Sequence, residues 1–155
     1  MILIAVIIGW YVFFGQGKSE PYQYNPPYPV PQGTIHWHPY LKIIINGEER
    51  LIPDNVGIGS THYPIHTHEL ADDPTEYTGA GRKIHMENGA PSRNIETLTL
   101  GYFFKVWNKK FNATCIMEFC NGADGEMKVF VNGKQNFDYD HYFMSDGDQI
   151  LIEYK

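Results

Sequence analysis

Two stretches of the chain share one local design: Lys42-Ile43-Ile44-Ile45-Asn46-Gly47 and Lys128-Val129-Phe130-Val131-Asn132-Gly133. In each, a run rich in β-branched or aromatic residues meets Asn-Gly, a dipeptide that accepts the positive φ values of a tight primed turn. The chain is therefore expected to build two β-hairpins, the first running from 41–45 through the turn into 48–52. The match is too short for a repeat architecture. Between the hairpins, Thr99 is placed to cap a helix whose apolar residues Leu100, Phe103, Phe104, Val106 and Trp107 suit one buried face. Asp146-Gly147-Asp148 then reads as a turn before a terminal strand over 149–154. This order predicts an α+β fold, a β-grasp-like mixed sheet packed on one helix, with a cupredoxin-like β-sandwich as the alternative.

Charge is distributed unevenly. Residues 1–15 contain no Asp, Glu, Lys, Arg or His. A helix of that length spans about 22 Å, less than the roughly 30 Å hydrocarbon core of a bilayer. Trp10 and Tyr11 suit a membrane interface and Lys18 can snorkel, so 1–17 is expected to be an uncleaved membrane anchor. A cleaved signal segment and a buried helix are the alternatives. Five prolines in the stretch 19–32 favour an extended spacer, so 18–32 is read as a linker, or as a ligand for a proline-reading partner. A folded extracytoplasmic domain over 33–155 follows. The net charge of −6, without a basic run, leaves no electrostatic footprint for nucleic acid. Asn112-Ala113-Thr114 fits an N-glycosylation sequon, and Cys115 and Cys120 are either a local disulfide or two reduced, buried side chains.

Six of the seven histidines fall between residues 36 and 85. His36-Trp37-His38 and His66-Thr67-His68 are both His-x-His, and His85-Met86-Glu87 is His-x-Glu. On an extended strand, residues i and i+2 share a face, so each motif can offer two donor groups to one ion. Met86 then faces away from its neighbours. The candidate ligands are His36, His38, His66, His68 and His85, joined by His62 and Glu87. Nitrogen-rich ligation suits copper(II) or zinc over hard cations or copper(I), and the ligand count predicts about one bound ion. Pro64 is expected to break any strand shared by His62 and His66. Asp72, Asp73 and Glu76 read as carboxylates solvating a polar loop, and His141 as a half-buried ring with one hydrogen bond.

Other functions fit the same residues. Histidines clustered near their ordinary pKa can form a pH-sensitive surface. Three histidines and a water would make an open zinc site for a hydrolytic or hydratase-type enzyme, with Glu87 or Asp54 as base. A non-enzymatic cell-surface subunit would instead display an aromatic patch. No nucleophile triad or phosphate loop competes with these readings.

The runs IHWHPYLKIIINGEERLIPDNVGI, HYPIHTHEL, KIHME and TLGYFFKVWNKKF resemble a group of membrane-anchored, extracytoplasmic His-rich proteins of archaea and bacteria. That group shares a His-x-His, an IP-x-N-x-G segment, an HTH tripeptide and an IH-x-E. The likeness spans most of residues 35–154 and implies one exported domain with these motifs paired; it implies no reaction. The stretch from Glu69 to Lys83 lengthens the usual HTH to IH-x-E spacing and is read as an inserted loop. Cupins and carbonic anhydrases also use His-x-His, but their flanking glycine and glutamate patterns are absent.

Overall fold

The computed structural model describes residues 23–30, 33–87 and 94–155. The stretch 1–17 lies outside them. No helix among the described residues is long and apolar enough to cross a membrane.

Both Asn-Gly pairs make the turns that their chemistry favours. Strand β1 (Tyr40–Ile45) returns through Asn46 and Gly47, at φ 53° and 83°, into the short β2 (Glu48–Glu49). Four short strands follow in the middle of the chain: β3 (Ile65–His66), β4 (Tyr77–Thr78), β5 (Gly81–Lys83) and β6 (His85–Met86). The Thr99 hydroxyl caps helix α1 (Leu100–Val106), accepting from Tyr102 N at 3.2 Å. A three-stranded ribbon of β7 (Phe111–Asn112), β8 (Cys115–Ile116) and β9 (Phe119–Cys120) comes next. The second hairpin joins β10 (Met127–Val131) to β11 (Lys134–Asn136) through Asn132 and Gly133, at φ 50° and 77°. The last strand is β12 (Gln149–Tyr154).

The main sheet runs β11-β10-β12-β1-β5-β4, with β2 also on β1. It is mixed, because β12 pairs parallel with β1 (Tyr40 opposite Gln149, Ile45 opposite Tyr154) and antiparallel with β10. Alternation along the strands sends Leu41, Ile43, Ile45, Val129, Ile150 and Ile152 into one core with Leu100, Phe103 and Phe104 of α1. The α+β class is thus as the sequence predicts. Asp148 organises the turn before β12: its carboxylate accepts from Asn132 Nδ2, Tyr142 Oη and Ser145 N, and its carbonyl from Tyr40 N at 2.7 Å.

Two stretches differ from their expected character. In the proline-rich segment, Tyr24, Tyr28 and Val30 pack against the core, and Tyr28 Oη donates to Met144 O at 2.8 Å. Proline removes backbone donors, but the interleaved tyrosines supply area to bury. The stretch 69–83, read as an inserted loop, contributes β4 and β5 to the main sheet. Its tight point is Gly81, at φ 107° where β5 meets β1; a Cβ there would meet the Leu41 carbonyl and lie 2.8 Å from Lys42 N. Gly81→Ala is expected to destabilise the fold by roughly 2–4 kcal/mol, read as a lowered denaturant midpoint.

Candidate metal centre

Strand pairing builds the site. β3 and β6 are antiparallel, with Ile65 opposite Met86 and His66 opposite His85. On the other edge of β6, Trp37 bridges Met86: Trp37 N donates to Met86 O at 3.1 Å and Met86 N to Trp37 O at 2.9 Å. Ile65, Met86 and Trp37 therefore form one file across three chain segments. Ile65 and Met86 are fully buried and Trp37 packs on the core. The pleat turns the residues flanking that file to the opposite face. His36, His38, His66, His85 and Glu87 meet there, and His68 follows two residues after His66.

The rings converge. His66, His68, His85 and Glu87 each offer a donor atom within 4.8 Å of the others, as do His36, His38 and His85. Both groups could hold a metal ion. His68 and His85 are stacked with ring centroids 4.1 Å apart, so the long connection between them does not keep them separate. His66 Nε2 lies 2.9 Å from His68 Nε2 and 3.3 Å from His62 Nε2. A tetrahedral ion with metal–nitrogen bonds of about 2.0–2.1 Å separates its ligand nitrogens by about 3.3–3.4 Å, so these spacings are close to those of chelation. His62 joins from a loop, despite Pro64. His36 Nε2 is 3.0 Å from Glu87 Oε1, and His85 Nδ1 is 3.9 Å from the same oxygen. An open cavity of about 220 Å³, lined by His62, Tyr63, Pro64, His66 and Glu87, gives solvent access.

Two hydrogen bonds fix which nitrogen each buried ring presents. His66 Nδ1 lies 3.1 Å from the Tyr63 carbonyl, which can only accept, so Nδ1 carries the proton and Nε2 keeps its lone pair. His85 Nε2 lies 3.0 Å from both oxygens of Glu76. Its other nitrogen, Nδ1, is buried and finds no hydrogen-bond partner among the described residues. A carboxylate on one imidazole nitrogen and an unsatisfied lone pair on the other is the orientation that metal-ligating histidines use.

Glu76 is the residue that sequence reasoning misses. Asp73 stays exposed, but Glu76 is 2% exposed beneath His85 and pairs with Lys83 Nζ at 3.2 Å. A local signal for its placement exists. Asp73-Pro74-Thr75-Glu76 is a cap residue, a proline at the first position of a turn and a glutamate two residues further on, and Asp73 Oδ1 accepts from Thr75 N at 2.8 Å. The turn aims Glu76 inward. Asp54, a candidate base, instead pairs with fully buried Arg82 at 3.0 Å, and Arg82 also donates to the His68 carbonyl.

The environment of three of the rings, His38, His66 and His85, favours the neutral form. Burial, reinforced by His62 and His68, pushes His66 down to about 4 against the pull of the Tyr63 carbonyl and Glu87. Burial also lowers His85 despite Glu76, and lowers His38 with help from His36. Burial would raise Glu76, but its hydrogen bonds to His85 and Lys83 and the charge of Lys83 hold it below the usual carboxylate range, hence ionised. Because His66 is harder to protonate folded than unfolded, its contribution to stability is present above pH 6.5 and is lost as pH falls toward 4. The metal-free protein is therefore expected to melt about 5 °C or more lower at pH 4.5 than at pH 7.5, by calorimetry.

The remaining candidates lie elsewhere. His141 belongs to neither group and sets its ring edge-on against Tyr24, 5.8 Å away. Cys115 and Cys120 are bonded to each other across β8 and β9. Asn112 Oδ1 accepts from Thr114 N and Cys115 N, each at 2.9 Å, in the turn between β7 and β8.

Fold and site together define an α+β domain with a histidine-rich face that could hold a metal ion. No protein-family model, curated protein or solved structure matches the chain.

Proposed function

We propose that the protein binds a transition metal, copper or zinc, through this face, and that it captures or delivers the ion outside the cytoplasm while tethered to a membrane. One observation carries the metal reading: His85 Nδ1, buried and unsatisfied, faces a cluster of imidazoles while Glu76 holds its other nitrogen. Leaving a buried polar atom without a partner is costly unless something fills the gap, and a cation among the imidazoles does so. Nitrogen ligation favours copper(II) and zinc. The charge-free segment 1–15 and the Cys115–Cys120 disulfide support the tether and the oxidising compartment. The parallel pairing of β1 with the last strand supports a β-grasp-like arrangement. The test is equilibrium titration of the full chain with zinc and with copper(II), followed by metal analysis after gel filtration. Retained, stoichiometric metal is expected; a chain that emerges metal-free with both ions would refute the assignment.

A further inference from the structure

The donors outnumber what one ion can use. Six imidazoles and a carboxylate converge, whereas copper and zinc sites in proteins are usually filled by about four ligands. His85 belongs to both candidate groups, yet its Nε2 is committed to Glu76, so it has a single nitrogen to give. One nitrogen lone pair binds one ion. Assigning His85 to His36 and His38 leaves His62, His66 and His68, whose Nε2 atoms are already gathered around that of His66 at 2.9 and 3.3 Å. Each half then has three histidines.

Glu87 lies between the halves. Its Oε1 is 3.0 Å from His36 Nε2 in one, and its carboxylate is within 4.8 Å of the donor atoms of His66 and His68 in the other. A carboxylate has two oxygens and can bridge two cations, and its charge offsets part of their mutual repulsion. We propose that the face is a dinuclear centre: one ion on His36, His38 and His85, a second on His62, His66 and His68, with Glu87 bridging them. This rests on the metal-binding reading above and deepens it.

The test uses the full chain loaded with zinc or copper(II). Metal analysis is expected to find about two ions per chain, as two four-coordinate centres require. The His36→Ala/His38→Ala and His62→Ala/His68→Ala variants should each retain about one, because each spares a half. Glu87→Gln should weaken the second ion at least tenfold. In the copper-loaded protein, electron paramagnetic resonance should show a spin-coupled Cu(II) pair, converted to isolated Cu(II) by either double variant. A wild-type chain that binds a single ion would overturn the dinuclear centre while leaving metal binding intact. So would loss of all metal from either double variant, with circular dichroism unchanged, because that outcome describes one shared ion. A wild-type chain that binds none would overturn both readings.

Discussion

The His66→Ala/His68→Ala variant is expected to lose at least ~100-fold in affinity for copper and zinc at the site these rings serve. His66 is the hub of its half: its Nε2 is within 3.3 Å of two other imidazole nitrogens, and the Tyr63 carbonyl fixes its tautomer. Removing His66 and His68 leaves His62 as the last imidazole of that half, and one imidazole does not retain a labile ion through gel filtration. Because His66 is buried, the change also opens a cavity, so thermal melting of the metal-free variant must accompany the titration. A folded double variant with undiminished affinity and stoichiometry would exclude these rings as ligands.

The second large effect is expected at a residue that touches no ion. Glu76→Gln preserves shape but replaces an acceptor-only group with one that can also donate, so the His85 tautomer is no longer dictated. Metal affinity should fall about 10–100-fold, the usual cost of removing the partner that orients a ligating histidine. If Glu76 served only to neutralise Lys83, 3.2 Å away, the substitution would shift the melting temperature and leave the dissociation constant unchanged. The two measurements together separate positioning from ion pairing.

Local rules made much of this legible. Asn46-Gly47 and Asn132-Gly133 specify their turns through backbone conformation alone, and Thr99 its cap, so both turns and α1 stand where the sequence places them, although the return strand expected over 48–52 is only Glu48–Glu49. The i, i+2 rule likewise anticipates that His36 and His38, or His85 and Glu87, share a face. It says nothing about which strands become neighbours. That Trp37 pairs with Met86 and Met86 with Ile65 depends on burying those three side chains together, a long-range choice with no local trace. Pro64 does separate His62 from the strand of His66, since β3 begins at Ile65, while the stretch 69–83 misleads for the same reason. Interruptions in sequence are not separations in space when side chains can reach across, as His62 does, or when the interruption itself joins the sheet, as β4 and β5 do. Glu76 was hidden because a carboxylate in a polar stretch reads as solvated unless its buried partner is known.

The position of β12 bears on when the ion can arrive. Chain synthesis proceeds from the amino end, yet this strand, made after every candidate ligand, lies in the interior of the sheet between β10 and β1. The turn leading into it also grips the first His-x-His segment, since His38 N donates to Asp146 Oδ1 at 2.8 Å. A nascent chain still lacking those residues has the six imidazoles but neither the partner strand of β1 nor the carboxylate that holds His38 N. Assembly of the full face is therefore expected only once β12 has been made.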